Sequence, residues 1–253
     1  MKTQKQNLAA IDIGTNSLHL IVAEIDPDTA QFRTLVRQKD LVRLGLGSTD
    51  MKYLSESAMD RALLSLRRFK TIADSMNAQV RAIATSAVRE ALNRDAFLDR
   101  IFIATGFYVE TIDEADVNSF IYLSIQEHLQ THAGLFRNNT FLMEVGGGST
   151  QFLLLKKGFV SFSNAFRFGS FRIHEMLEHS RAPDAHFRGI MENQIQNMLD
   201  QIFEKIIAEG PVTLIILGGD ARFAAQRARP DWDKTGIAEI SVSQLEKLSE
   251  EIL

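Results

Sequence analysis

The sequence contains no cysteine. Disulfides, zinc–thiolate centres and thiol catalysis are therefore excluded. It has no surplus of basic charge: 28 Lys and Arg stand against 32 Asp and Glu, for a formal net charge of −4. Without a global cationic field there is no argument for nucleic acid as a partner. No apolar run approaches membrane-spanning length, and Met1 to Asn7 is polar and too short for a secretory leader. The expectation is a cytoplasmic protein with no membrane partner. A G-x-x-x-x-G-K-[ST] loop is missing, which rules out a P-loop NTPase, and no G-x-G-x-x-G opens a helix after the first apolar run. His174, Glu175 and His179 look superficially like a zinc motif, but histidines five apart do not share a helix face, so all three read as surface residues. No Ser-His-Asp arrangement is visible, and nothing suggests a glycosidase.

What remains is ordinary for a soluble globular protein: 45% hydrophobic and 24% charged residues in a chain of 253, enough for two packed domains. The stretch that organises it is Ala9 to Val22. An apolar run ends in Asp12, the polar turn Gly14-Thr15-Asn16-Ser17 follows, and a second apolar run leaves from Leu18. Two β-rich runs joined this way read as a hairpin. Gly14 lets the backbone approach an anion, Thr15, Asn16 and Ser17 offer N–H and hydroxyl donors, and Asp12 can face a hydrated cation. An ordinary hairpin turn is the competing reading.

Further along, Arg33 to Leu44 predicts a third strand and Leu54 to Met76 a helix, with Arg61, Arg67, Arg68 and Lys70 on a solvated face. Val80 to Ala84 reads as a strand that runs into one helix from Ser86 to about Ala104. Arg89 lies in the first turn of that helix, where a phosphate can be held. Phe107 to Ile112 is a strand and Asp113 to Leu129 a helix whose first turn carries Asp113, Glu114 and Asp116. His132 to Asn139 is a turn region. Strands follow at Phe141 to Val145, Gln151 to Leu155 and Phe159 to Phe166, then helices at Ser170 to His179 and His186 to Ala208. Val212 to Leu217 is a strand, Gly218-Gly219-Asp220 opens the short helix Ala221 to Arg227, and Ser243 with Glu246 predicts a capping box for the last helix.

The chain echoes itself. Asp12-Ile13-Gly14-Thr15-Asn16-Ser17 and Glu144-Val145-Gly146-Gly147-Gly148-Ser149 share the order acid, aliphatic, glycine, two small residues, serine, 132 positions apart. Each sits between two apolar strands and is followed by strand, strand, helix. This is the pattern of a duplicated domain, and two such loops facing one another would hold a polyphosphate from both sides. A third glycine pair, Gly218-Gly219, ends a strand and opens a helix, where an anion is also favoured.

These stretches together resemble the exopolyphosphatase and guanosine pentaphosphate phosphohydrolase family, a branch of the actin/hexokinase-like superfamily. The matching segments are I-D-I-G-T-N-S-L-H-L-I-V (Ile11 to Val22), V-R-L-G (Val42 to Gly45), A-T-S-A-V-R-E-A (Ala84 to Ala91), E-V-G-G-G-S-T (Glu144 to Thr150), F-R-F-G-S-F-R (Phe166 to Arg172) and L-G-G-D-A-R (Leu217 to Arg222), in the family's order over nearly the whole chain.

The resemblance implies an α/β fold of two RNase H-like (actin-like) domains, with mixed sheets flanked by helices and a cleft between them. The expected boundaries are 1–128 for the N-terminal domain and 129–253 for the C-terminal one, the latter shorter than the family's. The implied activity is release of terminal phosphate from inorganic polyphosphate or guanosine pentaphosphate with a divalent cation, usually Mg²⁺. Asp12 and Glu144 become the metal-side carboxylates. Gly14 to Ser17 become the first phosphate loop, Gly146 to Thr150 the second, and Arg89 the phosphate-binding arginine. Gly218 and Gly219 join the phosphate-binding set. Homodimers are common where the fold is of this kind.

Four positions depart from the family's pattern. Its second loop reads D-x-G-G-G-S-T-E, whereas here the acids are replaced by Glu144 and Gln151, and an amide cannot be a base. The family's S-G-x-E-E-A glutamates fall on Asp116 and Val117 when Ile121-Tyr122-Leu123 is kept in register. Asp116, or Glu114 with a shifted helix start, is then the expected catalytic base. A binding protein that keeps the phosphate loops without turnover is the alternative, and a sugar- or acetate-kinase-like transferase ranks below both.

Overall fold

The structure, a computed structural model, describes residues 5–29, 31–46, 52–131, 139–180, 184–204, 206, 212–234 and 236–252. It is an α/β protein of two compact units: Met1–Val117 with Phe171–Phe187, and Asn118–Ser170 with Arg188–Leu253.

The first unit is built on a five-stranded mixed sheet in the order β3-β2-β1-β4-β5. Strands β1 (Gln6–Ile13), β2 (Ser17–Ile25) and β3 (Phe32–Leu41) form an antiparallel meander, and β4 (Gln79–Ala84) and β5 (Val109–Thr111) add in parallel beside β1. In β1 and β2 the buried residues alternate (Ala9, Ile11, Ile13; Leu18, Leu20, Val22), so one face of the pleat is apolar. Helix α1 (Glu56–Ser75) buries Met59, Leu63, Leu66, Phe69 and Ala73, a three-and-four spacing that makes one stripe. These side chains join the sheet residues in one core. Ser55 caps α1 by accepting from the Ala58 N–H.

Two expectations change here. The third strand stops at Leu41 because the next amides bond elsewhere, to the first loop. The single helix read over 86–104 is two, α2 (Ser86–Glu90) and α3 (Arg94–Thr105). Between them Ala91 is extended, and the Asn93 amide bonds both backbone groups of Leu54, donating to its carbonyl at 2.8 Å and accepting from its N–H at 2.9 Å. A paired tertiary hydrogen bond outweighs modest helix propensity at these positions. Arg61 and Arg68 lie on the exposed face of α1, as expected, and also brace the end of β3: Arg61 donates to the Val42 carbonyl and Arg68 to Asp40 at 2.6 Å.

Helix α4 (Glu114–Thr131) starts in the first unit and runs into the second. The second unit carries a four-stranded sheet in the order β8-β7-β6-β9. Its strands β6 (Asn139–Val145), β7 (Thr150–Lys156) and β8 (Phe159–Phe166) repeat the antiparallel meander, and β9 (Val212–Gly218) lies parallel to β6. Helix α5 (Ser170–Ser180) falls in the first unit from Phe171 on, α6 (Asp184–Phe203) starts in the first unit and continues in the second from Arg188, and α7 (Gly219–Ala228) and α8 (Val242–Ile252) belong to the second. Phe152 anchors a core with Met198 and Ile202, and meets the Phe166 ring edge-on at 5.7 Å.

Order and direction agree between the sheets strand for strand: third, second, first, then the parallel return. The duplication read from the two loops is thus a duplication of topology. Of the smaller readings, Glu175 is buried rather than on the surface. The capping box of the last helix is Ser241 with Gln244, two residues before the pair expected: Ser241 Oγ accepts the Gln244 N–H at 3.2 Å and Gln244 Oε1 accepts the Ser241 N–H at 2.9 Å. The turn expected from His132 lies, over 132–138, outside the described residues.

Candidate functional site: two hairpin loops and an arginine cluster

Each unit places its small-residue loop at the carboxyl end of its parallel strand pair, the usual place for ligands in α/β sheets. In the first unit the turn is closed by Gly14 N–H donating to the Ser17 carbonyl at 3.2 Å. In the second, Gly146 N–H donates to the Ser149 carbonyl at 3.0 Å. A Cβ on Gly14 would stand 3.0 Å from that carbonyl oxygen, and one on Gly146 3.1 Å. The two turns are therefore the same turn.

The first loop is held from one side by backbone. Val42 and Arg43 N–H groups donate to the Asn16 carbonyl at 3.1 and 2.8 Å, and Gly45 N–H to the Thr15 carbonyl at 3.2 Å. This accounts for the V-R-L-G segment, whose Arg43 takes a left-handed φ of 53°. Thr15 is buried, with its hydroxyl 3.0 Å from that of Ser86 at the start of α2. Asn16 is exposed. Ser17 Oγ lies 2.9 Å from His19 Nε2. Asp12, one residue before the strand end, pairs directly across the hairpin with His19. The hairpin register thus sets Asp12 opposite the histidine that pairs with Ser17, a proximity that linear spacing does not reveal.

The second loop is held by the F-R-F-G-S-F-R segment. Ser170 N–H donates to the Gly146 carbonyl at 3.0 Å, and Thr150 Oγ1 donates to the Phe168 carbonyl. A Cβ on Gly169 would meet Gly147 backbone atoms at 2.5 Å and the Gly146 oxygen at 2.7 Å, so this residue has to be glycine if the loop is to stay where it is. Gly148 is buried, and Thr150 already belongs to β7, opposite Val145. Gln151 is 3% exposed; its Nε2 donates to Ser149 Oγ at 2.9 Å, and its buried Oε1 receives no hydrogen bond. Glu144 stands directly across the hairpin from Gln151. Its burial pushes the carboxyl above the usual carboxylate range, against the pull of Arg222 on α7. Gly218, at φ 116°, opens α7, and a Cβ there would meet the Val145 oxygen at 2.6 Å; Gly219 has open space around it.

The arginine and the candidate bases belong to the first unit. Arg89 donates to the Ile112 carbonyl at 3.0 Å and lies 3.4 Å from Glu114. Glu90, beside it, accepts from Arg172 at 3.0 Å. Asp116 is occupied locally: its carboxylate accepts the Asp113 N–H at 3.3 Å while Asp113 accepts the Asp116 N–H at 2.9 Å, a reciprocal cap on α4. Glu114 thus stands beside Arg89, and Asp116 is in the helix cap.

Sequence reasoning missed the roles of Ser86, Glu90, Gly169, Arg172, Arg222 and His19, although all lie inside the quoted motifs. Their partners are 22 to 82 residues away or across a hairpin. Among the described residues no three His, Asp or Glu side chains gather as a cation cage. Asp12 and Glu144 are hard oxygen donors at strand ends, and Glu144 is largely buried. Such carboxylates suit a small divalent cation that keeps part of its water shell.

The family model of the Ppx/GppA phosphatase family matches residues 8–253. A bifunctional 3-dehydroquinate synthase/phosphatase of Fusobacterium nucleatum is 30% identical over 173 residues, which is 66% of this chain and 26% of that protein; the chain spans about a quarter of that relative. The crystal structure of an exopolyphosphatase from Cytophaga hutchinsonii superposes with a TM-score of 0.84 at 28% identity, covering 98% of this chain and 80% of that one. An Aquifex aeolicus PPX-GPPA enzyme superposes at 0.75 with 22% identity, over 98% of this chain and 81% of that one, and speaks for the fold alone.

Proposed function

From the chain's membership of the Ppx/GppA phosphatase family, we propose that it is a phosphoanhydride hydrolase releasing terminal phosphate from inorganic polyphosphate or guanosine pentaphosphate. The observation that carries this is the doubled turn, Gly14–Ser17 and Gly146–Ser149, each closed by the same bond and each preceded by an acid. Each loop offers backbone N–H groups and a serine hydroxyl to phosphoryl oxygens, and in the first unit Arg89 can exchange Glu114 for such an oxygen. Gly218 and Gly219 let backbone amides at the start of α7 approach an anion.

Asp12 and Glu144 would hold Mg²⁺, which when bound neutralises charge on the phosphate oxygens. Water attacks phosphorus in line and the phosphoanhydride bond breaks. Glu114, beside Arg89, is favoured as the group that takes the water's proton; Asp116 is the second candidate. Glu114→Gln should lower kcat about 100-fold or more with little change in KM, in line with the loss of a general base.

Gln151 and the capped Asp116 favour one other reading, a polyphosphate- or nucleotide-binding regulator without turnover. Phosphate release from polyphosphate and guanosine pentaphosphate, with and without Mg²⁺, separates the two. Binding of either compound without release from any would overturn the hydrolase and leave the regulator.

A further inference from the structure

The two loops share more than a turn. Ser17 and His19 stand where Ser149 and Gln151 stand in the repeat, at the same offset of 132 residues. His19 is directly opposite Asp12, and Gln151 directly opposite Glu144. In each case the second-strand side chain places a nitrogen 2.9 Å from the serine oxygen two residues earlier. We infer that His19 and Gln151 are matched positioning residues, each donating an N–H to its loop serine so that the serine's own O–H is turned outward for a phosphoryl oxygen.

The direction of the second bond is fixed by chemistry. An amide nitrogen only donates, so Ser149 receives there and its hydroxyl hydrogen is not consumed. The imidazole nitrogen of His19 can donate or accept. An ionised phosphate offers only acceptors, so the serine must supply the proton. Only the His19 Nε2–H form leaves Ser17 with one to give. A carboxylate at 151 would do the opposite, accepting the serine's proton and withdrawing the donor. Gln151 therefore sets the hydrogen-bond polarity of its loop serine.

This rests on the reading of both loops as phosphate loops. The test is calorimetric binding of tripolyphosphate in Mg²⁺-free buffer, with phosphate release measured alongside. His19→Leu and Gln151→Met, which remove the donor at similar size, should each weaken binding about three- to tenfold, the range of one hydrogen bond. His19→Gln and Gln151→His, which exchange donors between the repeats, should stay within about threefold of wild type. A long-range ¹H–¹⁵N spectrum should show His19 protonated at Nε2. Thermal unfolding identifies variants that fail to fold, and the spectrum of the wild type needs no variant. Apolar variants that bind like wild type, donor swaps that bind no better than apolar ones, or a His19 protonated at Nδ1 alone would each overturn the inference while leaving the hydrolase standing. A wild type that neither binds tripolyphosphate nor releases phosphate would remove the phosphate reading, and this inference with it.

Discussion

The two hairpin loops have one geometry and two buttresses. The first is fixed by backbone donors arriving from the end of β3 and by a hydroxyl pair, Thr15 with Ser86. The second is fixed by the residues before α5, which press Gly169 against the loop backbone. Duplication preserved the turn, the acid ahead of it and the donor behind it. The support was rebuilt separately in each unit. A shared feature with unlike scaffolding around it is the part that function constrains, whereas the scaffolding need only fix it.

The largest effect should come from breaking the second buttress. In Gly169→Ala the new Cβ has no space, because the atoms it meets are backbone and cannot rotate away. The loop must shift, and phosphate release should fall about 100-fold or more, as catalytic geometry displaced by an ångström does. Gly14→Ala and Gly146→Ala meet a single carbonyl oxygen at 3.0 and 3.1 Å and should behave like each other, with much smaller losses. Steady-state kinetics on the three variants checks this. Unequal Gly14 and Gly146 variants would break the equivalence of the turns.

Next in size is the first buttress. Thr15→Val removes a buried hydroxyl and leaves that of Ser86 without its partner. The expected cost is about 1–3 kcal/mol in urea unfolding. Ser86→Ala together with Thr15→Val should recover part of it, because both polar groups are then gone. A double variant as unstable as the sum of the singles would show that the hydroxyls do not act on each other.

A smaller contribution comes from the support behind β3. Asp40 is pushed up by burial, but hydrogen bonds from Gln38, Ser65 and Arg68 and the Arg68 charge outweigh this and hold it below the usual value of 3.8. A carboxyl lower in the folded than in the unfolded state stabilises fully above the unfolded value. That contribution is lost as pH falls through the folded value. Asp40→Asn should therefore destabilise at pH 7 and flatten the decline as pH falls through the usual carboxylate value and below it in chemical denaturation. Equal slopes for variant and wild type would exclude this role.

The duplication, the strand order and the two turns were legible because they depend on alternation and on glycine, which act over a few residues. Places where a distant group intervened were not. The helix over 86–104 breaks because Asn93 bonds Leu54, and β3 ends early because Val42 and Arg43 serve the loop. The candidate site was legible as motifs but not as partnerships. Glu90 meets Arg172 across 82 residues, and His19 meets Asp12 only through hairpin register. The last helix shows the limit of local rules: Ser243 with Glu246 has the right letters, and Ser241 with Gln244 has the bonds.

That box gives the scale for the smallest prediction, which concerns Asp116. Asp113 with Asp116 and Ser241 with Gln244 make the same reciprocal cap at two helix starts. Only the first adjoins Glu114, the residue that pairs with Arg89. If Asp116 does no more than cap, Asp116→Ala and Gln244→Ala should cost alike, about 0.5–1 kcal/mol in unfolding, with kcat unchanged. Glu114 would then be the base. An Asp116 variant that loses kcat far beyond what its stability and the Gln244 control explain would reassign the proton transfer to Asp116. Comparing the two caps therefore decides between the two carboxylates, with the effect of capping alone already subtracted.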